Sequence, residues 1–392
     1  MEEESDLASL IEARPELAST LGQLLALDAD QGTWQLADTE IDETVLSTLV
    51  DSGHVEAVDG GYRFVDRAAV RAVLDQHRLD TTVDGRRRVS VRVALSVVLV
   101  VVVLVRLPTV FDVFRDDWIV LVSNDPYFYR YLVDQSLANG GIPSVPDRVI
   151  RGEPLLVATL AIAAWPFGPG TWGSGFVVAW YPVVAAVLTA ILVYGAATRL
   201  TGDVRVGLAA AGLLAVTPAH AYRTGLGVAD HHAFDYIWLS LTALAVIELL
   251  RRSERDRQTW LAAGALAAGV AAQALAWEAA PLLLFPLAPA LALTALVEIR
   301  RPGSERLTPV VAGLVGGAMI AHGIHLLLGW QLAAVIYALD LLALGSVGLL
   351  GVVVAVRRVD GSWVWLAVGE AILAVGTVIA IRRFPLLWTE LQ

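Results

Sequence analysis

The chain of 392 residues is 56% hydrophobic and carries a formal net charge of −11, and its mean hydropathy of +0.64 is too high for an ordinary soluble protein. Residues 1–80 hold 18 Asp and Glu against 5 Arg, so the acidity belongs to the first segment, which would repel nucleic-acid phosphates; no nucleic-acid partner is expected. The absence of Cys excludes disulfides, thiolate catalysis and Cys-based metal sites, and all 28 basic residues are Arg, a Lys-free, acid-rich composition suited to hydration in concentrated salt.

The first thirty residues are charged and hold no cleavable signal peptide, so insertion is expected to begin at a later span. Residues 1–85 read as a small acidic α/β domain. Apolar residues in Leu7–Leu27 recur at helical spacing, with a break at Pro15, and a second helix covers about Glu43–Ser52. His54–Val58 and Tyr62–Val65 flank an Asp59-Gly60-Gly61 turn, which predicts a hairpin. Asp66 is placed to cap a helix over Arg67–Gln76. Helix, helix, hairpin, helix is a winged-helix-like order, and with this charge it fits docking of a cytoplasmic partner better than DNA binding.

Residues 89–392 read as a transmembrane domain, so the fold class is mainly α: a polytopic bundle of about nine spans. Arg86-Arg87-Arg88 and Arg92 open the first apolar run, about 89–107. The positive-inside rule then sets the N-terminal domain in the cytoplasm and loop 108–172 outside. Further spans are predicted near 174–198, 205–221, 234–250, 258–276, 280–298, 308–328, 332–356 and 363–381. Alternate crossing puts the arginine-bearing loops at 199–205, 251–257, 300–306 and 357–358 inside, with Arg382-Arg383 the exception. Leu155–Trp165 is too short to span and reads as an interfacial helix of the first outer loop.

Two outer loops carry polar clusters that a plain membrane scaffold does not need. One is Ser123-Asn124-Asp125-Pro126-Tyr127-Phe128-Tyr129-Arg130; the other runs from Gly225 to Asp235 and includes Asp230-His231-His232. A carboxylate and imidazoles near a membrane surface cost desolvation energy unless paired or bound to an ion. Asp230 and His232 can converge on one cation from an extended backbone, with Asp125 joining if the loops meet. Oxygen-rich ligation of that kind suits Mn²⁺ or Mg²⁺. Helix capping by Asp125 before Pro126 and a solvated Asp-His-His stand as the blander alternative. His322 and His325 share a helical face and fit interhelical hydrogen bonding better than a metal. Glu278 and Asp340 are buried-charge candidates without an assigned role.

At these clusters the sequence resembles the catalytic subunit of the archaeal oligosaccharyltransferase, of the C-type glycosyltransferase fold. The elements that carry the resemblance are Asp125-Pro126-Tyr127-Phe128-Tyr129-Arg130 and the stretch Arg223-Thr224-Gly225-Leu226-Gly227-Val228-Ala229-Asp230-His231-His232. The second has two glycines where the family has one, and Ala179-Trp180-Tyr181-Pro182 resembles the start of the family's second span. The resemblance covers about residues 93–250. It implies inverting transfer of a glycan from a lipid-phosphate (dolichol-type) carrier, a lipid-linked oligosaccharide, to Asn of an Asn-x-Ser/Thr acceptor. Asp125 would be catalytic and, with Asp230 and His232, would hold the divalent cation. Arg130, Arg223 and His231 would balance phosphate charge or support the ligands.

The family's outer-loop glutamate after the ninth span is matched by Glu390, although Leu387 stands where the family has Thr. Four further spans, a large outer soluble domain and a Trp-Trp-Asp-Tyr-Gly element find no counterpart in this sequence, which fits either a truncated member or a part that must assemble with a separate chain carrying the remainder. A non-catalytic relative that binds lipid-phosphate glycan and signals through residues 1–85 is the competing reading. A transporter is the third, without a motif to support it.

Overall fold

Residues 7, 11, 17–36, 43–140, 152–252, 255–300, 306–359 and 363–383 are described by the computed structural model. Two units divide the chain, residues 1–94 and 95–392. In the first, α1 (Leu17–Gln31) and α2 (Glu43–Asp51) precede the antiparallel pair β1 (Val55–Val58) and β2 (Gly61–Phe64). The turn sits where Asp59-Gly60-Gly61 predicts it, with both glycines at positive φ. Trp34 adds a third strand position by exchanging backbone hydrogen bonds with Tyr62, at 2.9 and 2.8 Å. Its buried ring, with Leu21, Leu24, Leu49, Phe64 and Val70, fills the small core.

Asp66 caps the next helix as expected, its Oδ1 accepting from the amides of Ala68 and Ala69. That helix, α3, does not stop at Gln76; it continues over Arg67–Leu104. Gly85 is the only strong helix breaker between the two predicted segments, and one glycine costs only about 1 kcal/mol.

The second unit continues with α4 (Val110–Val113), the short pair β3 (Phe114–Arg115) and β4 (Trp118–Ile119), α5 (Asn124–Ala138), α6 (Pro154–Ala164) and a π-turn over Thr171–Gly175. Then come α7 (Phe176–Thr201), α8 (Val204–Val216), α9 (Pro218–Arg223), α10 (His231–Arg251) and α11 (Arg257–Ala276). The chain finishes with α12 (Ala280–Leu284), α13 (Leu287–Arg300), α14 (Leu307–Leu328), α15 (Ala333–Arg358) and α16 (Trp363–Arg383). Helices α8, α7, α10, α11, α14, α15 and α16 pack as successive neighbours, and α6 lies against α5 and α11.

Among the described residues six helical stretches, not nine, are long and apolar enough to cross a membrane: 171–201, 231–251, 257–276, 280–300, 307–328 and 333–358. The protein is thus a multi-pass membrane protein, mainly α with a small β-containing N-terminal region. Among the described residues, the other three expected spans correspond to shorter apolar stretches, Ser90–Leu104, Val204–Val216 and Trp363–Ile372. In the first, arginines at 86–88 and 92 cut the apolar part short. In the second, Pro218 ends the run, because it cannot continue the hydrogen-bond ladder and starts α9 instead.

Small residues set the closest helix approach. A Cβ on Gly313 would lie 2.9 Å from the Ala263 carbonyl oxygen, and one on Gly317 2.8 Å from that of Ala267. This Gly-x-x-x-Gly face lets α14 press against the alanine-rich α11, where dispersion rather than the hydrophobic effect drives association. On α7, Val184, Leu188 and Ile191 project outward at helical spacing, as a lipid-facing stripe requires.

Candidate functional site

The loop that ends in Asp230 is held from four sides. Leu226 donates its amide to the Arg106 carbonyl and receives the Thr109 hydroxyl on its own carbonyl, at 2.9 and 3.0 Å. Gly227 donates to the Ala179 carbonyl (2.9 Å) and accepts from the Val122 amide (3.1 Å). Gly227 has φ +78, and a Cβ there would stand 2.8 Å from Val113, so both backbone and space demand glycine. The Val122 bond joins the two polar loops that the sequence sets about a hundred residues apart.

Beneath this loop Arg106 is buried. Its guanidinium donates to the Thr224 hydroxyl, the carbonyls of Val102 and Ala215, and Nδ1 of His220, at 2.7 to 2.9 Å. Arginine cannot accept, so His220 carries its proton on Nε2. These bonds satisfy a charge that would otherwise be costly to bury, and they fix α9 and the start of the loop.

Asp230 precedes α10, and the helix start turns His231 and His232 toward it. Its Oδ1 lies 2.8 Å from His231 Nδ1, and its Oδ2 lies 2.7 Å from Arg223 Nη1 and 3.8 Å from His232 Nε2. The Asp230 carbonyl accepts the Tyr181 hydroxyl. Burial opposes ionisation of Asp230, but the hydrogen bond from His231, the charges of the two imidazoles and the Arg223 contact outweigh it and hold the carboxyl at about 2.

Sequence reasoning missed two residues here. Glu153, at the head of α6, places Oε1 at 3.1 Å from His231 Nδ1, while its Oε2 accepts the Tyr129 hydroxyl. Burial and the adjoining Glu153 charge push the Tyr129 hydroxyl far up, so it stays protonated and donates. Trp277 stacks on the His231 ring, with centroids 5.3 Å apart and planes 24° apart, and stands edge-on to His232. Glu153 reads in sequence as the residue before a helix-opening proline, a capping signal that hides its second use.

One ligand atom from each of Asp230, His231 and His232 lies within 4.8 Å of the other two. Two donors at about 2.1 Å from one ion lie at most roughly 4.2 Å apart, so the 3.8 Å between Asp230 Oδ2 and His232 Nε2 fits a shared divalent cation. Asp125 occupies the first turn of α5 and is exposed. Arg223 reaches the cluster, but Arg130 points to Asp134 (3.9 Å) and to the Thr171 hydroxyl of the π-turn (3.3 Å). Glu390 lies outside the described residues.

The family model described as oligosaccharyl transferase STT3, N-terminal, matches residues 91–371. The chain belongs to this family. It is 27% identical over 257 residues to dolichyl-phosphooligosaccharide-protein glycotransferase 2 of Archaeoglobus fulgidus, covering 61% of this chain and 40% of the relative. Among solved structures it resembles oligosaccharyltransferase AglB of A. fulgidus in complex with an inhibitory peptide and a dolichol-phosphate, with TM-score 0.64, 18% identity, and coverage of 78% of this chain and 38% of the other. It also resembles an A. fulgidus oligosaccharyltransferase in complex with Zn and sulfate (TM-score 0.60, 18% identity, 75% of this chain, 40% of that one). The same oligosaccharyltransferase tethered to an acceptor peptide containing the NVT sequon gives TM-score 0.61, 20% identity and coverage of 74% and 38%. The chain therefore spans about two fifths of the length of the relatives it matches.

Proposed function

We propose that this chain carries the donor- and cation-binding half of an oligosaccharyltransferase-type glycosyltransferase, which moves a glycan from a dolichol-type lipid-phosphate carrier to Asn of an Asn-x-Ser/Thr acceptor. The observation that carries the reading is the Asp230–His232 pair at 3.8 Å, braced by His231 and Arg223 and tied through Val122 and Gly227 to the loop that leads to Asp125. In this reading Asp230, His232 and Asp125 hold a divalent cation, with Mn²⁺ or Mg²⁺ favoured by the carboxylates. The cation would supply Lewis-acid and charge stabilisation to the departing phosphate.

The residues then divide the work. A bond forms between the acceptor amide nitrogen and the anomeric carbon while the anomeric C–O bond breaks, and the phosphate leaves with the electron pair. Asp125 accepts the hydrogen bond of the amide and takes the proton that the nitrogen sheds. Arg223 is 43% exposed, which leaves it room to turn from Asp230 toward a phosphate oxygen. Arg130 has its charge set against Asp134 and acts, in this reading, through the π-turn rather than on the phosphate. Glu390 is assigned to the acceptor side by sequence alone.

The loop arginines favour a cytoplasmic N-terminus and extracellular Asp125 and Asp230. Residues 1–85 would then be a winged-helix-like cytoplasmic module for a protein partner. Membranes holding the chain, given lipid-linked glycan, Mn²⁺ and a sequon peptide, should show transfer that Asp125→Ala abolishes. Intact, folded protein that gives no transfer would defeat autonomous activity.

A further inference from the structure

Gln331 is the one buried non-glycine residue with a left-handed backbone among those described, at φ +74 and 2% exposed. Such a conformation costs of order 1–3 kcal/mol and persists only where the surroundings fix it. Here they do. Gln331 Nε2 donates to the Gly152 carbonyl (3.0 Å) and to the Ala274 carbonyl (2.9 Å), while its Oε1 accepts the Leu332 amide at the start of α15 (2.9 Å). Both amide donors and the acceptor oxygen are used.

The two carbonyls it grips lead directly to the residues around His231. Gly152 precedes Glu153, whose carboxylate bridges Tyr129 and His231. Ala274 is in the last turn of α11, which Trp277 follows directly, and the Trp277 indole stacks on the same ring. The ring's Nδ1 sits between two carboxylates, so its orientation is what aims Asp230 Oδ1 and leaves Oδ2 toward His232. A side chain held against its backbone preference thus ties the backbone at the head of α6 to the last turn of α11, two helices that pack together and converge on His231.

We infer that Gln331 is a positioning residue for the Asp230–His231–His232 cluster, acting through Glu153 and Trp277. The inference rests on the cation reading above for its effect on binding, but not for the clamp itself. Supporting partners beyond the ligands typically alter metal affinity by about 10–100-fold.

The test uses the full chain in detergent and Mn²⁺ alone as the probe, with unbound Mn²⁺ followed by EPR. Gln331→Glu keeps size and shape but loses both donors, and should weaken Mn²⁺ uptake by the folded protein by about 10-fold or more. Glu153→Gln should do the same, and the double variant should be no weaker than the worse single one, because both act along one path. Losses that multiply, or wild-type affinity in Gln331→Glu, would overturn the inference. Gln331→Gly, which suits the left-handed backbone, serves if the glutamate variant fails to assemble. Amide exchange over 152–157 and 274–278 should accelerate about tenfold or more in either variant while α7 stays unchanged; unchanged exchange also overturns the clamp. If wild-type protein takes up no Mn²⁺, the cation reading fails, and the exchange result still decides the role of Gln331.

Discussion

His231–His232 and His322–His325 are each a pair of imidazoles on one helix, and the protein uses them in different ways. The first pair opens α10 beside a carboxylate, and its rings touch, with centroids 4.0 Å apart. The second lies within α14, and its members face away to separate partners. His322 Nδ1 meets Asp340 Oδ2 of α15 at 2.7 Å, and His325 Nδ1 donates to the Trp330 carbonyl at 2.7 Å. An imidazole bound singly, to the next helix as His322 is or to the turn after its own helix as His325 is, acts as a fastener; imidazoles gathered on one carboxylate with a nitrogen left over are a ligand set. Spacing alone does not separate the two. What does is whether the adjoining backbone is extended, as at Asp230 (φ −150, ψ 153), or helical throughout.

The contrast can be broken most directly by substitution. Asp230→Ala should lower Mn²⁺ affinity by more than about 100-fold, whereas His322→Ala should leave it within about twofold, as read by titration calorimetry. Comparable losses would erase the distinction. Acidification should sharpen it next. Asp230 is held at about 2, below its ordinary value, so its stabilising contacts are complete above pH ~4 and fade only as the pH falls through 2. Asp230 therefore stays ionised down to pH 5, and because burial and the His231 charge hold the His232 imidazole below its ordinary 6.5, Mn²⁺ uptake should hold level from pH 7.5 to about 6.5 and fall by up to roughly tenfold per pH unit only at lower pH, through protonation of His232. His232→Asp should flatten that profile; a profile that stays steep would assign the proton elsewhere. The smallest effect belongs to the fastener: Asp340→Leu should cost about 1 kcal/mol in a detergent melting experiment, most of it recovered when His322→Leu is added.

Much of this architecture can be read along the chain, because membrane helices announce themselves by composition over about twenty residues. The β1–β2 hairpin is equally legible, since Asp59-Gly60-Gly61 leaves the backbone few alternatives. Pro218 misleads only because the apolar run reaches it unbroken; the proline that ends the helix is in plain sight. At the site, Asp230 and His232 are legible because they stand two residues apart, although an extended Asp230 followed by the first turn of α10, rather than an extended run, brings them together. Glu153, Trp277 and Gln331 are not, since each reaches His231 only through packing of elements distant in sequence. The partner of His322 is hidden for the same reason: Asp340 is one helix away, and its register against α14 is a property of the packed pair.

The Val122–Gly227 bond and the Gln331 clamp together give the cluster an order of completion during synthesis. At roughly 5–20 residues per second, the segment from 122 to 227 takes on the order of 5–20 seconds to emerge, and Gln331 follows after a similar interval. A nascent chain thus holds Asp230 and His232 for some seconds before the residue that steadies their surroundings exists. The cluster is finished from behind, by the ribosome's later output, so its maturation is timed by elongation.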